Sequence, residues 1–233
     1  MLTVSNYLLM SFTKGSIMSD VAVIHGVPGS PYVRSALLGF EERHIPYRLA
    51  ALSVGGSKSE EHLGRHPFGR VPVLEHGDFC LYETQAILRY ANQLGSGPSL
   101  VPTEARAAAR VNQIVGIVDW YVFPSATVGI AAERLFAPMF WGRPTDEANI
   151  AKALPTARTC LRELQRLKGS AEFMAGDSLS IADLMLAPQL EFLRATPEGT
   201  ELLKGTSLES WLTRMSLRAS MQATQVERLR QTA

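Results

Sequence analysis

Val71-Pro-Val-Leu-Glu-His-Gly-Asp-Phe-Cys-Leu-Tyr82 decides how the first part of this chain is read. Val71 to Glu75 and Phe79 to Tyr82 are short apolar runs around the turn signal His76-Gly-Asp78, so they predict two strands of a hairpin. Thr84 to Leu94 follows, with Ala86, Ile87, Tyr90 and Ala91 spaced to face inward from a helix. Upstream, Val21-Ala-Val-Ile-His25 reads as a buried strand closed by Gly26, and Gly26 to Pro31 as a loop. Tyr32 to Arg43 has helical spacing, with Val33, Ala36, Leu37 and Phe40 on one face. Ile45 to Leu52 reads as a second strand, with Pro46 at its start, where a missing donor is tolerated.

The order β-α-β and then β-β-α predicts a small mixed sheet with helices packed on it, the thioredoxin-like pattern. The chain changes character near residue 100. All five histidines and every strand-like run precede that point, and Gly95 to Thr103 reads as a linker. Glu104 to about Leu135 is a long helical stretch expected to bend at Pro124, and Glu147 to Leu167 is another. Ser180-Ile-Ala-Asp183 is a capping signal that opens a helix to about Arg194, and Glu209 to Arg218 completes a helical bundle. The expected organisation is therefore a disordered extension at 1–19, a thioredoxin-like α/β domain at 20–95 and an all-helical domain at 104–228.

Composition narrows the function. With 233 residues, 46% hydrophobic and 19% charged, the chain can bury a real core. Its net charge of +1, with no Lys/Arg block, argues against a nucleic-acid partner or an anionic membrane surface. Two cysteines, Cys80 and Cys160, make no disulfide framework, redox pair or zinc site, which fits a cytoplasmic setting. Both are expected to be buried and inert. The most apolar stretch, Val111 to Ala132, carries Asn112, Gln113, Asp119 and Pro124, which argues against a membrane span. Residues 1–18 lack a basic start and make a poor signal peptide; they read as a disordered extension or the product of an upstream start codon before Met18.

Four segments carry a family resemblance. His66-Pro-Phe-Gly-Arg-Val-Pro-Val-Leu74 with Leu81-Tyr-Glu-Thr-Gln-Ala-Ile-Leu-Arg-Tyr90 resembles the glutathione-site signature of the soluble glutathione transferases. So does Gly29-Ser-Pro-Tyr-Val-Arg34 followed by Glu41-Glu-Arg-His-Ile-Pro-Tyr47. Gly176-Asp-Ser-Leu-Ser-Ile-Ala-Asp183, and Trp211-Leu-Thr-Arg-Met215 with Arg218 and Ser220, are similar to the family's helical half. The likeness runs from about Val21 to Thr224 and is nearest to a serine-type, phi/theta-like bacterial-type member.

What the resemblance implies is a glutathione S-transferase of the detoxification type. It would join the glutathione thiolate to a small hydrophobic electrophile, as a homodimer without a metal. Ser30 matches the catalytic serine, and the rival reading makes it only a helix cap. Val71-Pro72 matches a cis-proline step whose Val71 backbone would pair with the cysteine residue of glutathione. Glu83 would take the γ-glutamyl ammonium, and the Thr84 hydroxyl with the helix amides its carboxylate. Lys58 and Arg70 would face the glycine carboxylate. Tyr32, Trp120, Tyr121 and Phe123 are candidates for the electrophile site, with Phe136, Met139, Phe140 and Trp141 in a loop-like stretch beyond. Residue by residue, bundle core is the stronger reading for these aromatics.

Other signals carry less. His62 and His66 are four apart, but Pro67 and the absence of a third ligand argue against a metal. Gly55-Gly-Ser-Lys-Ser59 lacks the spacing of a phosphate loop. Glutathione-dependent reduction, isomerisation or dehalogenation would use the same half-site, and a non-catalytic ligand- or protein-binding module shares the fold. Thr84 and Gln85 stand where Ser and Arg are usual.

Overall fold

The computed structural model describes residues 21–232. The disordered extension expected at 1–19 lies outside them. Four strands, β1 (Ala22–Gly26), β2 (Tyr47–Ala51), β3 (Val73–His76) and β4 (Phe79–Tyr82), form one sheet in the order β2-β1-β3-β4. β1 runs parallel to β2 and antiparallel to β3, with Ile24 opposite Leu49 on one side and Leu74 on the other. β3 and β4 form the expected hairpin, pairing Leu74 with Leu81. This is the thioredoxin-like arrangement.

Helices α1 (Pro31–Glu42) and α3 (Thr84–Leu94) lie between that sheet and the helical half. Their helical period decides which layer each residue meets. Leu37, Phe40 and Ile87 join Ile24 and Leu74 in the sheet's core, while Leu38 and Leu88 enter the core of the bundle. The short helix α2 (Glu60–Arg65), capped by Ser59 and preceded by one 3₁₀ turn at Gly56–Lys58, was not anticipated. Its six residues are too few to show a helical period in a Gly- and Ser-rich stretch.

Every named element of the second half is a helix. α4 (Ala105–Ile117) runs without a break into a π-helix at Val118–Ala132 and then α5 (Glu133–Leu135). The expected bend at Pro124 is thus a change of helical winding: fifteen residues follow the wider π geometry, with Pro124, which has no amide proton, inside. At 31 residues, Ala105–Leu135 is long and apolar enough to cross a membrane, so its polar residues do not disqualify it as the sequence reading held. Packing accounts for that composition: 56% of its most apolar window is buried inside the fold, where α7 (Glu147–Lys168) and α8 (Ile181–Arg194) lie against it.

The short helix α6 (Ala137–Phe140) replaces part of the loop expected at 136–141. The remaining helices are α9 (Pro197–Leu203), α10 (Ser207–Ser216), α11 (Ala219–Ala223) and α12 (Val226–Thr232). At the centre, fully buried Asp183 accepts from the Ser180 amide and hydroxyl at 3.0 and 2.9 Å, the Met174 amide at 2.8 Å and the Trp211 indole at 3.1 Å. One of the two cysteine expectations fails: Cys160 is buried, but Cys80 is exposed because β4 is an edge strand.

Candidate functional site

The site is built where β1 hands over to α1. Val27 to Ser30 form a tight turn closed by Ser30 N–H donating to the Val27 carbonyl at 3.0 Å. Gly29 has φ +94°, a conformation that suits glycine, and Pro31 then fixes the first helical residue. Ser30 is the N-cap of α1 by backbone geometry, yet its hydroxyl makes no capping bond, and no acidic side chain occupies the first turn. Ser30 thus caps α1 with its backbone and not with its side chain. Its half-buried hydroxyl is available at the positive end of a helix dipole that no local carboxylate offsets.

The 3₁₀ turn and α2 deliver the second wall. Gly69, at φ +57°, lies so close to Lys58 that a Cβ there would sit 2.9 Å from Nζ. Lys58 Nζ lies 3.4 Å from the Phe68 carbonyl. His62 is buried and donates from Nε2 to the Arg70 carbonyl at 2.7 Å, which fixes the backbone just before the Val71–Pro72 peptide, a cis bond. Val71 and Pro72 stand before β3 rather than inside it, since the strand begins at Val73.

His66 is buried and stacked on Tyr82, with ring centroids 4.5 Å apart. Burial lowers its pKa; Glu83 opposes that shift, and the positive charges of Arg70 and Lys58 add to it. One imidazole thus feels Lys58, Arg70 and Glu83 together.

Glu83 and Thr84 come from the junction of β4 and α3. Glu83 has φ +72°, ψ +113°, a strained backbone for a residue with a Cβ, and its exposed carboxylate caps nothing. Thr84 is buried as the first residue of α3. Strain at an acidic residue is the kind of local cost that a binding site sustains.

Asp119, the only charged residue between Val111 and Ala132, closes the site from the helical half. Its Oδ1 accepts from the Tyr32 hydroxyl at 2.7 Å and its Oδ2 from Gln85 Nε2 at 3.2 Å. Burial raises the Asp119 pKa, the Tyr32 bond lowers it and Glu83 raises it further. Burial and then Asp119 push the Tyr32 phenol far above its ordinary value. A hydroxyl so committed does not ionise near neutrality. The Tyr32 ring packs on Phe123 with centroids 4.8 Å apart.

The structure therefore brings Tyr32 and Phe123 together beside the α1 start that carries Ser30. Trp120 and Tyr121 are 78% and 56% exposed, which corrects the bundle-core reading for both. Met139, Phe140 and Trp141 are also exposed. Sequence reasoning missed Asp119, Gln85 and His62 as parts of the site. A lone acid in an apolar run was the available signal, because a half-buried carboxylate needs donors. Among the described residues no group of three His, Cys, Asp or Glu side chains could hold a metal.

Comparison with known proteins places the fold in a family. Residues 24–99 match the model of the glutathione S-transferase N-terminal domain, and residues 147–214 that of the C-terminal domain. The chain is 33% identical to glutathione S-transferase 4 of Zea mays over 74% of its length and 78% of that protein's. It is 29% identical to a probable glutathione S-transferase, GSTF2, of Oryza sativa over 78% and 85%. The structure matches poplar glutathione transferase F1 with a TM-score of 0.80 at 27% identity, covering 91% of this chain and 99% of that one. It matches maize glutathione S-transferase I, solved with an atrazine glutathione conjugate, with a TM-score of 0.79 at 27% identity over 91% and 100%. These relatives are plant proteins of the phi class, and they give no support to the expected serine-type, bacterial-type subclass.

Proposed function

The chain belongs to the glutathione S-transferase family, and from that premise we propose that it works as a serine-type enzyme, with Ser30 holding the glutathione thiolate. Its substrate is glutathione, and it conjugates glutathione to an electrophile. A free thiol ionises near pH 8.5, so bringing that down by ~2 units takes roughly 2.7 kcal/mol of preference for the anion. A hydroxyl donating to the sulfur contributes about 1.5–3 kcal/mol. The α1 N-terminus contributes about 0.3–2 more. Together they span about 1.8–5 kcal/mol, a range that includes the requirement without a general base. The thiol proton leaves to solvent, a sulfur lone pair forms the new C–S bond, and a leaving group departs with its bonding electrons.

Lys58 and Arg70 receive the glycine carboxylate in this reading. The backbone of Val71, held before Pro72, pairs with the cysteine residue. Glu83 takes the γ-glutamyl ammonium, and Thr84 with the α3 amides its carboxylate. Residues 20–95 form the glutathione-binding domain and 104–228 the electrophile-binding domain, with Tyr32, Phe123, Trp120 and Tyr121 lining the apolar side. The protein acts as a cytoplasmic homodimer.

The observation that carries the reading is the Ser30 hydroxyl left without a capping bond at a helix start free of acidic side chains. Titrating glutathione into the protein at neutral pH and following thiolate ultraviolet absorption tests it. A signal in the wild type that disappears in Ser30→Ala is expected, with kcat/KM down about 100-fold, the loss of ~2.7 kcal/mol. A signal of unchanged size in Ser30→Ala would remove Ser30 from the mechanism.

A further inference from the structure

We infer that Asp119 is a positioning residue that serves both substrates, its two carboxylate oxygens separately fixing the glutathione wall and the electrophile wall. This rests on the transferase reading above. Oδ2 holds Gln85, the residue after Thr84, and so fixes the start of α3 on which the γ-glutamyl end is read. Oδ1 holds the Tyr32 hydroxyl, and so fixes the ring that packs at a tilt against Phe123. The two donors come from two different elements of the thioredoxin-like half, and the acceptor comes from the π-helix of the other half. One side chain thereby sets the distance between two walls that belong to different layers of the fold.

The arrangement is more than a spare interlayer bond. Half-buried Asp119 ion-pairs with no cation among the described residues, and Glu83 lies close enough to oppose its charge. A carboxylate kept without a cation is a costly way to join two layers. Elsewhere the layers are joined by Arg34 with Glu191 and by Arg218 with Glu42, both charge-compensated. What Asp119 supplies that those pairs do not is an acceptor for two neutral donors, each adjacent to a proposed substrate contact. A carboxylate has lone pairs for both, in a fixed plane.

The test is steady-state kinetics with glutathione and 1-chloro-2,4-dinitrobenzene, each varied at saturating levels of the other. Tyr32→Phe cuts the Oδ1 arm and is expected to raise KM for the electrophile at least threefold while leaving KM for glutathione within twofold. Gln85→Ala cuts the Oδ2 arm and is expected to do the converse. Asp119→Leu cuts both and raises both values at least fivefold. Asp119→Asn recovers most of that loss, because its amide can meet both partners once their donors and acceptors reorient. A purely structural role would lower the melting temperature in all four variants without dividing the two KM values.

Asp119→Leu with both KM values within twofold of wild type would overturn the inference, whatever its stability. Should Asp119→Leu fail to fold, the single-arm variants decide: effects of both on the same KM, or on neither, overturn it. A wild-type protein that turned over no glutathione would overturn the transferase reading and this inference with it, whereas normal turnover with undivided KM effects would sink the inference alone.

Discussion

Arg218 reaches Glu42 across 176 residues of sequence and donates to it twice, from Nε at 2.9 Å and from Nη2 at 2.8 Å. Ser220 adds a third bond at 2.5 Å. Glu42 is the last residue of α1, where the helix dipole disfavours an anion. Arg218 and Ser220 compensate, and they pin the helix that carries Ser30 to the far end of the chain. Burial alone would raise the Glu42 pKa, but these donors outweigh it and bring the group below its ordinary value. A carboxylate with a lowered folded pKa adds stability above its unfolded pKa and loses it as pH falls through the folded value. Glu42→Gln should therefore lower the unfolding free energy by about 2 kcal/mol at pH 7. Urea unfolding should show the gap to wild type closing below about pH 4.5.

Lys58 and Arg70 are exposed, and in the proposed reading they meet the glycine carboxylate of glutathione. Replacing either by Ala should raise KM for glutathione roughly tenfold, the equivalent of ~1.4 kcal/mol, and leave kcat nearly unchanged. The effect should shrink as salt rises. Glutathione monoethyl ester, which lacks the glycine carboxylate charge, should distinguish wild type from variants far less. An equal penalty for acid and ester would assign the two cations elsewhere.

Glu83 pairs backbone strain with a proposed binding role. Glycine at this position relieves a cost of about 1–3 kcal/mol and gives back about 0.5–1 in chain entropy. Glu83→Gly should thus melt no lower than wild type while losing at least tenfold in glutathione affinity by calorimetry. Glu83→Gln keeps the strain and should lose affinity without any gain in stability. A Glu83→Gly protein that binds normally would mean that the carboxylate is not a contact.

Asp183 tests the bundle itself. Burial pushes its pKa up to about 6, against the four bonds that favour the carboxylate. Asparagine offers one acceptor oxygen where two are used and turns an amide toward existing donors. Asp183→Asn should cost about 3 kcal/mol in denaturant unfolding. Its glutathione affinity, measured well below the melting transition, should stay within twofold of wild type.

Much of the fold was legible because burial writes a period into the sequence. Strand alternation, the His76-Gly-Asp78 turn and the inward stripe of α3 are local, so β3, β4 and α3 could be read directly. Ser30, Val71-Pro72 and Glu83-Thr84 were singled out by the family resemblance of the segments that carry them. Helix α2 and the π winding did not, because six residues show no period and π geometry depends on what packs against the helix. The exposure of Trp120, Tyr121 and Cys80 was likewise invisible, since hydropathy reports what a side chain tolerates and not where neighbouring elements leave it.

By itself, then, the sequence determined the order of the four strands and of the longer helices, and the residue types gathered around the start of α1. Only the tertiary structure decided that Tyr32 is bound to Asp119 while Ser30 is left without a capping bond. The Tyr32 hydroxyl is engaged by a carboxylate 87 positions away. A hydrogen bond acts over about 3 Å of space, and no local pattern of residues encodes which distant group folding will bring within that reach.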